Sequence, residues 1–172
     1  MQQDAAILIP VFRTADGELH LVLVRRSNEG MHGGQLAFPG GKRDPGDRSM
    51  WDTALREARE EIGVGRDQMV LLAELPAVHA KTTAFRVFPF LVRLLTPGPW
   101  QHDTSEIAEI IDVLLRDLMR PDTQGYTVQH FPTWSAPQNV PCFWIGPYCL
   151  WGLSYRILQP LLPRVLAGEW AV

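Results

Sequence analysis

Gly40-Gly41, followed downstream by Arg56-Glu57-Ala58-Arg59-Glu60-Glu61-Ile62-Gly63-Val64, decides the fold: a glycine turn feeding a helix that crowds three carboxylates onto one flank. At helical pitch Glu57 lies one turn from both Glu60 and Glu61, so like charges overlie one another at a cost of a few tenths of a kcal/mol per pair. A bound counter-ion would remove that cost. On the opposite flank Trp51, Ala54, Leu55, Ala58 and Ile62 recur at helical spacing as one apolar stripe, which must face a core. The carboxylates then sit well round the cylinder from it. Arg56 can reach Glu60 one turn on and fix its rotamer, and Gly63 ends the helix as a left-handed cap.

Upstream, residues 35–38 (Gln-Leu-Ala-Phe) read as a short strand broken by Pro39 and then by two glycines, where backbone can approach a ligand without Cβ interference. The Gly41 carbonyl is therefore a lesser metal-ligand candidate behind Glu57 and Glu61, with Glu60 next. Hard oxygen donors without a His or Cys cluster favour Mg²⁺ or Mn²⁺ over zinc. Magnesium is typically shared between carboxylates and substrate phosphates, so the cluster points to phosphate chemistry.

These residues carry a resemblance. Residues 41–64 resemble the Nudix box, Gly-x5-Glu-x7-Arg-Glu-U-x-Glu-Glu-x-Gly-U, where U is a bulky aliphatic. The second half matches from Arg56 to Val64, with Ala58 at an aliphatic position; the first half has Asp47 where glutamate is usual and one extra residue before Arg56. The resemblance implies an α+β fold, a Nudix-like α/β/α sandwich built on a mixed β-sheet. It also implies metal-dependent hydrolysis of a nucleoside diphosphate linked to another moiety.

Flanking residues resemble the coenzyme A pyrophosphatase branch: Arg26-Ser27, Gly34-Gln35 and Phe38-Pro39-Gly40-Gly41 ahead of the box, Leu75-Pro76 ahead of Phe90, Glu106-Ile107-Ala108-Glu109 ahead of Leu114-Leu115, and Trp151-Gly152-Leu153-Ser154 near the end. The branch usually has threonine where Val24 stands and an arginine in the region of Gly30-Met31. Coenzyme A or a derivative is the substrate this implies. ADP-ribose, dinucleotides and nucleoside triphosphates are alternatives within the family. Beyond hydrolysis stand an isopentenyl-diphosphate-isomerase-like reaction and a non-catalytic nucleotide-binding regulator, both opposed by the retained Glu57, Glu60 and Glu61.

Catalytic candidates are Glu57, Arg56 and Glu106. Either Glu57 or Glu106 could serve as general base, and Arg56 orients glutamates rather than touching substrate. Glu106 reads equally well as an exposed charge beside Glu109. Arg25 and Arg26 are candidates for binding a substrate phosphate, with Lys42 as a further cation and His32 or Gln35 as hydrogen-bonding groups. Trp134, in a polar proline loop, is the stacking candidate, whereas Trp144 and Trp151 sit in apolar segments suited to core or homodimer packing. Lys81 is read as a solvated lysine.

With 172 residues, 46% of them apolar, residues 1–172 are expected to form one domain that buries a core without staples. A net charge of −3 and the absence of a basic run argue against a nucleic-acid-coating surface. No apolar stretch reads as a membrane span, and Cys142 and Cys149 read as buried small hydrophobes in a cytoplasmic protein.

Along the chain, residues 5–12 and 19–24 read as an antiparallel hairpin about a turn at 14–17. Residues 69–75 and 85–95 read as strands, with Pro89 marking an edge or a bulge in the second. Residues 106–113 read as a strand leading into a short helix at 114–119. Residues 126–131 and 142–145 read as a last hairpin, and 150–167 as a terminal helix bent at its prolines.

Overall fold

The computed structural model describes residues 3–28, 33–80, 84–131 and 133–172. The first hairpin is formed by β1 (Gln3–Arg13) and β2 (Leu19–Arg26), paired antiparallel from Val11↔Leu21 to Arg13↔Leu19. Two short strands follow, β3 (Leu36–Ala37) against β2 and β4 (Gly40–Lys42) against β1, and then helix α1 (Met50–Ile62). Next come β5 (Met69–Glu74), β6 (Val78–His79), β7 (Phe85–Leu94) and β8 (Ile107–Leu114). They complete an eight-stranded sheet of order β3-β2-β1-β7-β5, with β4 beside β1, β6 beside β7 and β8 beside β2. β1 and β7 run parallel from Gln3↔Phe85 to Val11↔Arg93 while their other partners run antiparallel, so the sheet is mixed.

A three-stranded antiparallel sheet follows, of order β11-β10-β9: β9 (Gln124–Gln129), β10 (Gln138–Ile145) and β11 (Tyr148–Trp151). β11 runs directly into α2 (Gly152–Leu166).

Strand alternation sorts the core into two layers, because successive side chains point to opposite faces. Ala6 and Leu8 of β1, Val22 and Val24 of β2, and Phe90 and Val92 of β7 pack with Ala54, Ala58 and Ile62 of α1. Ile9, Val11, Leu21, Leu23 and Leu91 face the other way, onto Ile157, Leu158, Leu161 and Val165 of α2 and onto Phe143 and Leu150 of the second sheet. The expected apolar stripe on α1 is the one that packs inward, with Trp51 and Leu55 at its margin. Burying Ile62 to 1% exposure contributes about 2 kcal/mol. The Ser49 hydroxyl caps α1 by accepting the Asp52 N–H at 3.0 Å, and Gly63 closes it in the left-handed region at φ 72°.

Four expectations are corrected. Gly40-Gly41 is strand rather than turn: Gly40 pairs with Ile7 and Gly41 with Ala6, and a Cβ on Gly40 would stand 2.3 Å from the Ala6 carbonyl oxygen. Pro89 lies in a central strand, not an edge. Its neighbours on the β5 side pair as Glu74↔Phe90 and Val78↔Val87, so the donor it lacks falls where β5 gives way to β6. The last hairpin is three strands, because Leu150 pairs with Phe143 and both side chains are buried against α2. The terminal helix accordingly starts at Gly152, whose φ of 64° turns the chain out of β11, and it runs through Pro160 and Pro163.

Among the described residues no helix is long and apolar enough to cross a membrane.

Candidate active site

The N-terminal cap and the buried stripe fix the rotation of α1, and that rotation aims its carboxylates at β4. Glu61 is 2% exposed and accepts the Gly40 N–H at 2.8 Å, with Arg26 Nη1 3.8 Å from its other oxygen. It lies at the border of the buried stripe, not well round from it, because the chain needs an acceptor for the inward-facing Gly40 amide. Burial pushes the Glu61 carboxyl up to about 7; the Gly40 amide and Arg26 oppose that rise, and Glu57 and Glu106 add to it by repulsion.

Glu57 approaches β4 at the next residue. A Cβ on Gly41 would come within 2.5 Å of its Oε1, so only glycine leaves that carboxylate room. Burial also raises the Glu57 carboxyl, against the pull of Arg56 and with the push of Glu60 and Glu106.

Arg56 organises the outer side. Its Nε and Nη2 grip Asp47 at 3.2 and 3.1 Å, Nη1 donates to Glu57 at 2.8 Å and Glu60 at 3.2 Å, and Nη2 also donates to the Lys42 carbonyl at 2.9 Å. Asp47, which additionally accepts from Thr53 Oγ1 and the Asp44 N–H, is held down to about 2 chiefly by this guanidinium. The shorter Asp47 side chain and the extra residue ahead of Arg56 thus still end in a two-pronged ion pair. Replacing Arg56 by alanine is expected to destabilise the fold by about 2 kcal/mol, since Asp47 would lose its partner while 8% exposed. It should also lower activity by releasing Glu57. Lysine, a single-point donor, should restore little of either, and denaturant midpoints alongside turnover would check both.

One cavity of about 620 Å³ takes in Glu57, Gly41, Arg26, Gln35 and Lys42 together with Glu106, which stands exposed just before β8. Two candidates are placed elsewhere. Glu60 has a 56% exposed side chain and lines a separate shallow groove with Arg59 and Gln101. Arg25, expected beside Arg26 as a phosphate-binding candidate, does not line this cavity. It points to the opposite face of β2 from Arg26, pairs with Glu109 at 3.1 Å and lies over the Tyr148 ring at 5.2 Å, while the Tyr148 hydroxyl also donates to Glu109. Gly30, Met31, His32 and Lys81 lie outside the described residues.

Sequence reasoning missed one wall of the cavity. Phe131 and Trp151 line it, whereas Trp134, the stacking candidate, sits behind with its ring 5.3 Å from Phe131. The available signal was the aromatic content of the last hairpin, but without β11 nothing related Trp151 to Phe131.

The Gly41 carbonyl falls in the hydrogen-bonded pair with Ala6 of β1 and faces that strand; the groups able to hold a divalent cation here are oxygens, the carboxylates of Glu57 and Glu61. They suit such an ion electrostatically, because both carboxylates are raised by burial and repelled by their neighbours while Arg26 stands 3.8 Å off as the cation nearest Glu61.

A mixed sheet with helices on its faces, and a strand-loop-helix unit that brings carboxylates beside a glycine strand at a cavity, define an α/β/α sandwich with an oxygen-rich site suited to a divalent cation. Residues 1–131 match the family described as NUDIX domain, and the chain belongs to that family. It is 32% identical over 163 residues to an uncharacterized Nudix hydrolase NudL of Photorhabdus laumondii, covering 94% of this chain and 84% of that protein. It is also 32% identical over 170 residues to the human mitochondrial coenzyme A diphosphatase NUDT8, covering 96% and 71%. In fold it is similar to the Nudix hydrolase RenU of M. smegmatis, with a TM-score of 0.63 at 18% identity over 99% of this chain and 89% of that one. The protein is a Nudix-type pyrophosphohydrolase.

Proposed function

We propose that this enzyme cleaves the pyrophosphate bond of coenzyme A or a closely related derivative, using Mg²⁺ or Mn²⁺ held by Glu57 and Glu61. The observation that carries the reading is the gathering of Glu57, Arg26, Glu106 and Gly41 around one cavity beside the buried Glu61. The substrate choice draws on the likeness to the human coenzyme A diphosphatase along nearly the whole chain. A bound divalent ion would polarise the phosphoanhydride and acidify the attacking water.

The chain's own residues do the rest. Arg26, 37% exposed, meets a phosphate oxygen, and Arg56 holds the Glu57 carboxylate in one orientation. Glu106 takes the proton from water as its oxygen bonds to phosphorus and the bridging oxygen leaves with the other phosphate. Glu60 acts through Arg56. The two free cysteines suit a reducing cytoplasm.

The test is incubation of purified protein with coenzyme A, ADP-ribose, a dinucleotide and a nucleoside triphosphate, with Mg²⁺, Mn²⁺ or chelator, resolving products by chromatography. Metal-dependent release of 4′-phosphopantetheine and adenosine 3′,5′-bisphosphate from coenzyme A is the expected result. Preferential cleavage of another substrate would keep the chemistry and overturn the substrate, while no turnover anywhere would overturn both.

A further inference from the structure

Beyond residue 131, where the family match ends, the chain builds β10, β11 and α2, and the end of β11 with the first turn of α2 closes one side of the cavity through Trp151, Gly152, Leu153 and Ser154. β11 packs beside β3, so the second sheet meets the first at Leu36–Ala37. Four rings line the space: Phe38, Phe85, Phe131 and Trp151. Phe38 is 2% exposed, Phe131 is 5% exposed, and Phe85 carries the Lys42 ammonium over its face at 5.3 Å. Trp151 is the half-buried ring that remains. It is set firmly: its ring lies 5.5 Å from Phe131 at 58°, Phe131 is backed by Trp134 at 5.3 Å, and the Trp151 backbone is paired with Cys142. A rigid indole beside a cavity that also holds Arg26, Lys42 and two carboxylates matches a molecule with a charged diphosphate and a flat ring.

We propose that Trp151, braced by Phe131 and Trp134, is the surface on which the nucleobase of the substrate stacks, making it a specificity-determining residue supplied by the segment outside the matched domain. The proposal rests on the reading of this cavity as the pyrophosphate-cleaving site.

Its test is binding of the two halves of coenzyme A in chelator, so that turnover plays no part: adenosine 3′,5′-bisphosphate, which has the ring, and 4′-phosphopantetheine, which has none. W151L is expected to weaken the first by about ten- to hundredfold, the equilibrium weight of one base–aromatic stack, and to leave the second within about twofold. W151F should keep the affinity for the ring-bearing half within about fivefold, while losing the part of the fluorescence quench that the base imposes on the indole. That variant carries the test if W151L does not fold. Equal weakening of both halves, weakening of 4′-phosphopantetheine alone, or no binding of adenosine 3′,5′-bisphosphate to the unmodified protein would each overturn the proposal. If the halves separate as expected but the metal-loaded enzyme cleaves nothing, the stacking site stands and the hydrolytic reading of the cavity falls.

Discussion

Glu57→Gln is expected to lower kcat/KM on the best substrate by roughly 10²–10⁴-fold, the range associated with losing a charge that acts in the transition state. Stability should not fall with it. Glutamine keeps the side-chain oxygen that accepts Arg56 Nη1 at 2.8 Å, and it keeps the shape fitted against Gly41. What it removes is a carboxylate already disfavoured by burial and by Glu60 and Glu106. A melt within a few degrees of the parent, paired with the activity loss, would separate a chemical role from a structural one. Parent-like turnover by the variant would take Glu57 out of the reaction, and a collapsed melt would make the carboxylate a structural group.

Much of this site was legible because its determinants are local. Helical spacing alone aligned Trp51, Ala54, Leu55, Ala58 and Ile62, and with the stripe fixed the side of α1 that bears Glu57 followed. Gly63 as a left-handed cap was equally local. What escaped depends on partners far away in sequence. Glu61 is one residue from Ile62, and only the Gly40 amide 2.8 Å away explains why a carboxylate is drawn into the core. The glycine pair resembles a turn until Ala6 and Ile7 are seen beside it. Arg25 and Arg26 are indistinguishable by composition, yet strand alternation sends one to Glu109 and the other to Glu61. The same holds for Trp151, whose place in the cavity wall required β11, a four-residue strand without a strong alternating pattern.

Glu61→Gln, one helical turn from Glu57, is expected to abolish metal-dependent activity while stabilising the metal-free protein. The sign follows from burial. The Glu61 carboxyl has an ordinary value of 4.5 and is pushed up to about 7 in the folded chain. A carboxyl raised on folding contributes its full stability below its unfolded value, and loses that contribution as pH rises through its folded value. At pH 8 in chelator the parent therefore holds a buried charge that glutamine would not, a difference of about 3 kcal/mol. In a chain of this size that corresponds to a melt roughly 6–12 °C higher for the variant. The gap should shrink as pH is lowered through about 7 and vanish below about 4.5, where the parent carboxyl is protonated in both states. Adding Mg²⁺ or Mn²⁺ should close it from the other side, because the ion binds the charged parent and raises its melt in proportion to the logarithm of concentration, leaving E61Q unmoved. Thermal melts across pH, with and without metal, measure all of this on one pair of proteins. A variant less stable than the parent at pH 8 in chelator would mean that the Gly40 amide and Arg26 already compensate the buried charge, and that Glu61 has no electrostatic need of a metal ion.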